Sequence, residues 1–237
     1  MAFRNNFVWA FIGKSGAGKT VTAKQVAKDW KSARFRMRRR GEGGKIFAFD
    51  PHDAFYGIAD IKIDAKDEDW ASVIIMEVCK SCGKRKKTSV CSKCGSTKFY
   101  FPYANSLIIL DDYRTLLKSN QMPPDFLDLL ALRRRLNLDI IYMVHNPKLI
   151  LERLSYFSTH FSVFRTEANA DDFADKIQKF LTCQRASILV NAYVRLFDEK
   201  GYNALYPNFP YVFVQNDSDQ LFPMNMDEEI IKELQLA

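Results

Sequence analysis

Residues Phe7-Val8-Trp9-Ala10-Phe11-Ile12 are all apolar. A run of that length without alternation predicts a strand covered on both faces. Val21 to Trp30, rich in helix formers, follows as a helix. Lys45–Phe49 reads as a second strand, closed at Asp50-Pro51 because proline cannot donate to a ladder. Residues 58–70 are polar and acidic, and Val73–Val78 turns apolar again. Further strands are predicted at Leu107–Leu110, Leu138–Val144 and His160–Arg165. Between them lie a helix opened by Pro123-Pro124-Asp125 and running through Leu127, Leu130 and Leu132 to Arg133-Arg134-Arg135, and a short helix at Lys148–Leu154. A helix from Asp171 to Leu181 completes the alternation. The C-terminal part reads as a β-hairpin, Tyr211–Gln215 and Gln220–Pro223 around Asn216–Asp219, then a closing helix from Asp227 to Leu236. Strand and helix alternating in this way predict an α/β fold with a mostly parallel sheet and helices on both faces.

The junction of the first strand and helix carries the first chemistry. Gly13-Lys14-Ser15-Gly16-Ala17-Gly18-Lys19-Thr20 matches G-x-x-x-x-G-K-[ST], a Walker A loop, in the strand–loop–helix setting that the motif requires. The glycines let backbone N–H groups curl around phosphate oxygens, and the helix adds the positive end of its dipole. Lys19 is expected to reach the β- and γ-phosphates, and the Thr20 hydroxyl to ligate Mg²⁺. Leu107-Ile108-Ile109-Leu110-Asp111-Asp112, downstream of that loop, reads as a Walker B strand. Asp111 would hold the Mg²⁺ shell, and Asp112 would polarise the attacking water. His145 and Asn146 end the neighbouring strand, where a polar side chain could sense the γ-phosphate; a buried, hydrogen-bonded histidine is the competing reading. Asp50, His52 and Asp53 sit at another strand's carboxyl end, where ligands bind in open α/β sheets.

Charge and cysteine usage widen the picture. With 35 Lys and Arg against 28 Asp and Glu the chain carries +7, which suits an anionic partner larger than a nucleotide, nucleic acid first. Cys79-x-x-Cys82 and Cys91-x-x-Cys94, each followed by glycine, form two knuckles whose thiolates can close a tetrahedral structural Zn²⁺ site with no open position. Among and just after these ligands stand Lys80, Lys84, Arg85, Lys86, Lys87, Lys93 and Lys98, with no carboxylate from Cys79 to Leu110. That exceeds what a Zn(Cys)₄ centre needs and favours a nucleic-acid or partner contact. The arginine-rich run from Arg34 to Arg40 suits either a solvated helix end or a phosphate or subunit contact. The first apolar run is strand-sized and enters the phosphate loop directly, so neither a signal peptide nor a membrane span is expected, and a soluble intracellular protein is.

In order, these motifs resemble the small genome-packaging ATPases of membrane-containing icosahedral viruses, in the FtsK/HerA superfamily, and more distantly the Zot-like proteins of filamentous phages. The resemblance spans most of the chain outside the cysteine segment. It implies a single P-loop ATPase domain of RecA/ASCE type over residues 1–237; the zinc knuckle is not part of the family's general pattern, so residues 72–104 read as an inserted module. It further implies an ATP-hydrolysing DNA translocase, working with ATP and Mg²⁺ as a hexameric or pentameric ring that packages a viral genome into a preformed capsid. Its place would be the host cytoplasm, or the packaging vertex of the virion. On the family's pattern Lys19, Asp112, Arg134 and His145 are the catalytic set, with Arg134 acting in trans on the next subunit's γ-phosphate. Asp112 stands where the family typically has Glu, and His145 where it often has Gln. Two other readings are a nucleoside or nucleotide kinase with a four-cysteine zinc lid, and a Zot-like assembly protein that hydrolyses little.

Overall fold

The computed structural model describes residues 6–37, 44–64, 69–116, 122–167, 173, 180–199 and 209–236. Its centre is an eight-stranded sheet in the order β10-β9-β8-β1-β7-β6-β2-β3. The strands are β1 (Val8–Ile12), β2 (Ile46–Phe49), β3 (Ile61–Ile63), β6 (Leu107–Leu110), β7 (Asp139–Val144), β8 (His160–Phe164), β9 (Tyr211–Gln215) and β10 (Leu221–Met224). From β8 to β3 the neighbours run parallel; β9 and β10 add antiparallel at one edge.

The uninterrupted apolar runs are explained by two cores, one on each face. Along β1, Val8, Ala10 and Ile12 join one core while Trp9 and Phe11 join the other, as the period of two requires. Helix α1 (Lys19–Met37) covers the second face through Ala23, Val26, Ala27 and Trp30. The first face is covered by α4 (Pro124–Leu136) through Phe126, Leu129 and Leu130, and by α6 (Phe180–Glu199) through Cys183, Ala186 and Val190. Asp139, almost fully buried, ties three elements together. It accepts from the Asn6 and Phe7 N–H groups at 2.6 and 3.1 Å and from Trp30 Nε1 of α1 at 2.7 Å.

Several elements depart from the sequence pattern. Helix α1 runs past Trp30 to Met37, taking in the start of the arginine run; residues 38–43 lie outside the described residues. The polar stretch 58–70 contributes the edge strand β3, which an edge position permits. The expected helix at 171–181 falls mostly outside the described residues, and α6 stands where no helix was expected. The segment from Lys148 is a 3-10 turn, Pro147–Leu149, followed by α5 (Glu152–Phe157).

Between α2 (Trp70–Ile74) and β6 the chain forms a small unit on β4 (Val78–Cys79) and β5 (Phe99–Tyr100), paired antiparallel. It docks on the C-terminal end of α4. Arg135 lies 3.8 Å from Glu77 and over the Phe101 ring at 5.3 Å, and Glu77 also pairs with Lys86. Helix α4 ends where Asn137 adopts φ +53 and its N–H bonds back to the Arg133 and Arg134 carbonyls, a left-handed stop.

Candidate active site

The loop Gly13–Gly18 leaves the carboxyl end of β1 and is pinned on both sides. Gly13 N–H donates to Val144 O at 3.1 Å and Lys14 N–H to Arg165 O at 2.9 Å, so the ends of β7 and β8 hold it. Gly18 has φ +95, a conformation that L side chains rarely adopt.

Lys19, 5% exposed, begins α1 and turns back into the loop. Its ammonium donates to Gly13 O at 2.6 Å and Lys14 O at 2.8 Å, and lies 3.3 Å from His145 Nδ1. Burial pulls its pKa from 10.5 down to about 8, against the opposing charges of Asp111 and Asp112. Asp111, at the end of β6, is buried and receives a 3.4 Å contact from the Thr20 hydroxyl. Burial and the neighbouring Asp50 carboxylate push its pKa up, while Lys19 holds it back. Asp112 follows with φ +50, a strained geometry for a residue without glycine's freedom. Lys19, Thr20, Asp111, Asp112 and His145 therefore meet at the carboxyl ends of β1, β6 and β7. A hydroxyl and a carboxylate side by side are a donor set suited to a hard cation such as Mg²⁺.

His145 and Asn146 are engaged differently. Asn146 uses its side-chain oxygen to accept from Lys148 N–H at 2.9 Å, capping the 3-10 turn. His145 is exposed and faces Lys19, so the buried-histidine reading fails. Partial desolvation and the Lys19 charge push its pKa down. Tyr113, which opens the short helix α3 (Tyr113–Leu116), braces this corner. Its hydroxyl donates to Leu149 O at 2.5 Å and accepts from Leu151 N–H at 3.0 Å, tying the residue after Asp112 to the segment after His145.

Two acidic residues join the site beyond the expected set. Asp50, at the end of β2, is buried and accepts from Phe55 N–H at 2.6 Å and His52 N–H at 3.2 Å. Its strand-end position was visible in the sequence, its electrostatic hold on Asp111 was not. Glu167 pairs with Lys14 at 2.7 Å across a cleft of about 320 Å³ lined also by Ser15, His145, Asn146 and Thr166. Nothing in the sequence links residues so far apart.

Arg134 is not in this constellation. It is exposed and lines a cleft of about 280 Å³ with Phe7, Thr159, His160 and Gln215, at the amino ends of β1 and β8, the opposite end of the sheet from Lys19. Its neighbour Arg133 is buried, donates to Leu130 O at 2.7 Å and lies over the Phe157 ring.

The four cysteines converge. Their sulfurs all lie within 4.8 Å of one another, with Cys79–Cys94 and Cys82–Cys91 at 3.5 Å. Four thiolates at about 2.3 Å from one Zn²⁺ would stand about 3.8 Å apart, so this cluster could hold a metal. The knuckles are twins: Gly83 N–H donates to Cys79 O at 2.9 Å and Gly95 N–H to Cys91 O at 2.8 Å, with φ near +70 at both glycines. Backbone N–H groups of Ser81 and Cys82 point at the Cys79 sulfur, and those of Lys93 and Cys94 at Cys91. Cys183 is buried in the core, where desolvation pushes its thiol up to about 12. Among the described residues no helix is long and apolar enough to cross a membrane.

No family model and no curated protein sequence matches this chain. Among solved structures it is similar to the genome packaging NTPase B204 from Sulfolobus turreted icosahedral virus 2 in complex with ATP-gammaS. The TM-score is 0.60, at 13% identity over 94% of this chain and 99% of that one. It is also similar to B204, the DNA-packaging ATPase from Sulfolobus turreted icosahedral virus, with TM-score 0.55 and 10% identity over 95% and 100% of the two chains. The cytoplasmic domain of the Thermomonospora curvata type VII secretion ATPase EccC aligns with TM-score 0.51 and 13% identity, over 93% of this chain and 24% of that one. These likenesses establish a shared P-loop NTPase fold.

Proposed function

We propose that this chain is an ATP-hydrolysing DNA translocase that packages a viral genome into a preformed capsid. One observation carries the reading: the phosphate loop, Asp111, Asp112 and His145 converge at one sheet end in a fold that matches packaging NTPases over almost their whole length.

The residues divide the work of phosphoryl transfer. Backbone N–H groups of the loop receive the phosphate chain at the start of α1. Lys19, parked on the Gly13 and Lys14 carbonyls, exchanges them for the β- and γ-phosphate oxygens. Thr20 and Asp111 would hold Mg²⁺, which neutralises charge developing on the phosphates. Asp112 polarises the attacking water, and His145 reads the γ-phosphate. Arg134 lies at the other end of the sheet from Lys19 of its own chain; the role we give it is on the γ-phosphate of a neighbouring copy, in a ring in which each active site is completed by the next subunit. The cysteine cluster holds structural Zn²⁺, and its exposed lysines offer the DNA a sequence-independent contact.

The test is steady-state ATP hydrolysis by zinc-loaded protein, with and without DNA, over a range of protein concentrations. Turnover that rises with both is expected, and Lys19→Ala should abolish it while leaving the fold intact. Turnover indifferent to both, or undiminished in Lys19→Ala, overturns the reading.

A further inference from the structure

Phe209, just ahead of β9, has no role in the constellation described above, yet it touches the phosphate loop. A Cβ built on Gly18 would stand 2.1 Å from Phe209 Cγ and 2.2 Å from its Cβ, so the phenyl side chain lies directly against the glycine, with no room between them for even a methyl group. The contact is built into the edge of the sheet. The carbonyl of Phe209 accepts from Asn225 Nδ2 at 3.2 Å, and Pro210 and Tyr211 lead into β9. Tyr211 stacks on Phe164 at 4.9 Å, and Phe164 Cβ is 2.6 Å from where a Gly13 Cβ would be. Aromatic residues delivered by β8 and β9 thus flank both ends of the loop.

Strand order says what this side of the loop is for. Asp111, Asp112, His145 and Asp50 all lie on the β7-β6-β2 side of β1, whereas β8 and β9 lie on the other. A triphosphate whose terminal phosphate faces the carboxylates and His145 must extend its sugar and base the other way. The residue met there, at the last glycine before Lys19, is Phe209, which is partly exposed. We propose that Phe209 is the wall on which the sugar and base of the bound nucleotide rest. This rests on the ATPase reading above. A phenyl ring offers a π face and no hydrogen bond, so it favours a base over no base without choosing among purines.

The experiment compares ATP with inorganic tripolyphosphate, which shares the phosphate chain and lacks sugar and base, by calorimetric titration of the full chain. Phe209→Leu keeps apolar bulk against Gly18 and removes the π face; Phe209→Ala removes both. The expected result is roughly tenfold weaker ATP binding in both variants, the lower end of what base stacking contributes. Tripolyphosphate affinity should be unchanged in Phe209→Leu, and Phe209→Tyr should bind both as wild type does. Equal loss for the two ligands in Phe209→Leu would make Phe209 a mere brace for the loop, and tighter ATP binding would make it a plug; either overturns the proposal. Wild-type protein that binds neither ligand fails the ATPase reading itself, which is a distinguishable outcome.

Discussion

Lys19 should make nucleotide binding depend on pH above neutrality. Its ammonium is buried against two carbonyls and its pKa is held at about 8 rather than 10.5. A bound triphosphate surrounds it with negative charge and returns the pKa toward or above the ordinary lysine value. Below pH 8 the lysine is charged with and without nucleotide, so binding takes up no proton and affinity is flat. Above pH 8 the free protein has lost the proton that the complex needs, and affinity falls as pH rises, about tenfold or 1.4 kcal/mol per unit. From pH 7 to pH 9 the dissociation constant for ATP should therefore increase about tenfold. Burial and the Lys19 charge shift the pKa of His145 down, and the Lys19→Arg control retains this histidine, so the difference between the two profiles reports the lysine. The assay is calorimetric titration of zinc-loaded protein with ATP at half-unit steps from pH 7 to pH 9.5. Lys19→Arg provides the control, because a guanidinium remains charged throughout and its profile should be level whatever its absolute affinity. A level wild-type profile, or an equal slope in Lys19→Arg, would refute the reasoning.

Three further outcomes follow from particular contacts. Arg134→Ala should be inactive on its own, yet regain turnover when mixed with Lys19→Ala chains that retain the arginine; unrestored turnover in the mixture excludes action in trans. Cys82→Ser should release one zinc per chain in a colorimetric metal assay and lower the melting temperature, with ATP affinity kept within about twofold, because the cluster docks beside Arg135 at the sheet end away from Lys19. Asp139→Asn should cost about 2–4 kcal/mol in urea unfolding, since its acceptors serve Phe7, Asn6 and Trp30 and one amide group would now point N–H at N–H; a loss under 0.5 kcal/mol would show that the anchor is dispensable.

What the sequence determined by itself is what contiguous residues specify. The loop from Gly13 to Thr20 dictates its own turn through glycines at positive φ, and each cysteine knuckle closes on hydrogen bonds within five residues. The inner strands β1, β2, β6 and β7 were legible because a strand buried on both faces has few polar positions to interrupt it, as the two cores along β1 bear out, whereas the parallel edge strand β3 was not. Helix α6 was missed although Cys183, Ala186, Val190 and Val194 form an apolar stripe at helical spacing, because β-branched Thr182, Ile188, Val190 and Val194 blur the helical signal.

Tertiary structure decided which of the flagged side chains share a site. Lys19 meets His145 across 126 positions and Lys14 meets Glu167 across 153, contacts created by crossovers that no local pattern encodes. The same crossovers set Asn146 to capping, brought the Asp50 charge to bear on Asp111, laid Phe209 on Gly18, and carried Arg134 to the far end of the sheet. The physical reason is range. Turn chemistry and apolar periodicity act over a few residues and are written in the chain, whereas the distance between two charges depends on the strand order that packing both faces of the sheet selects.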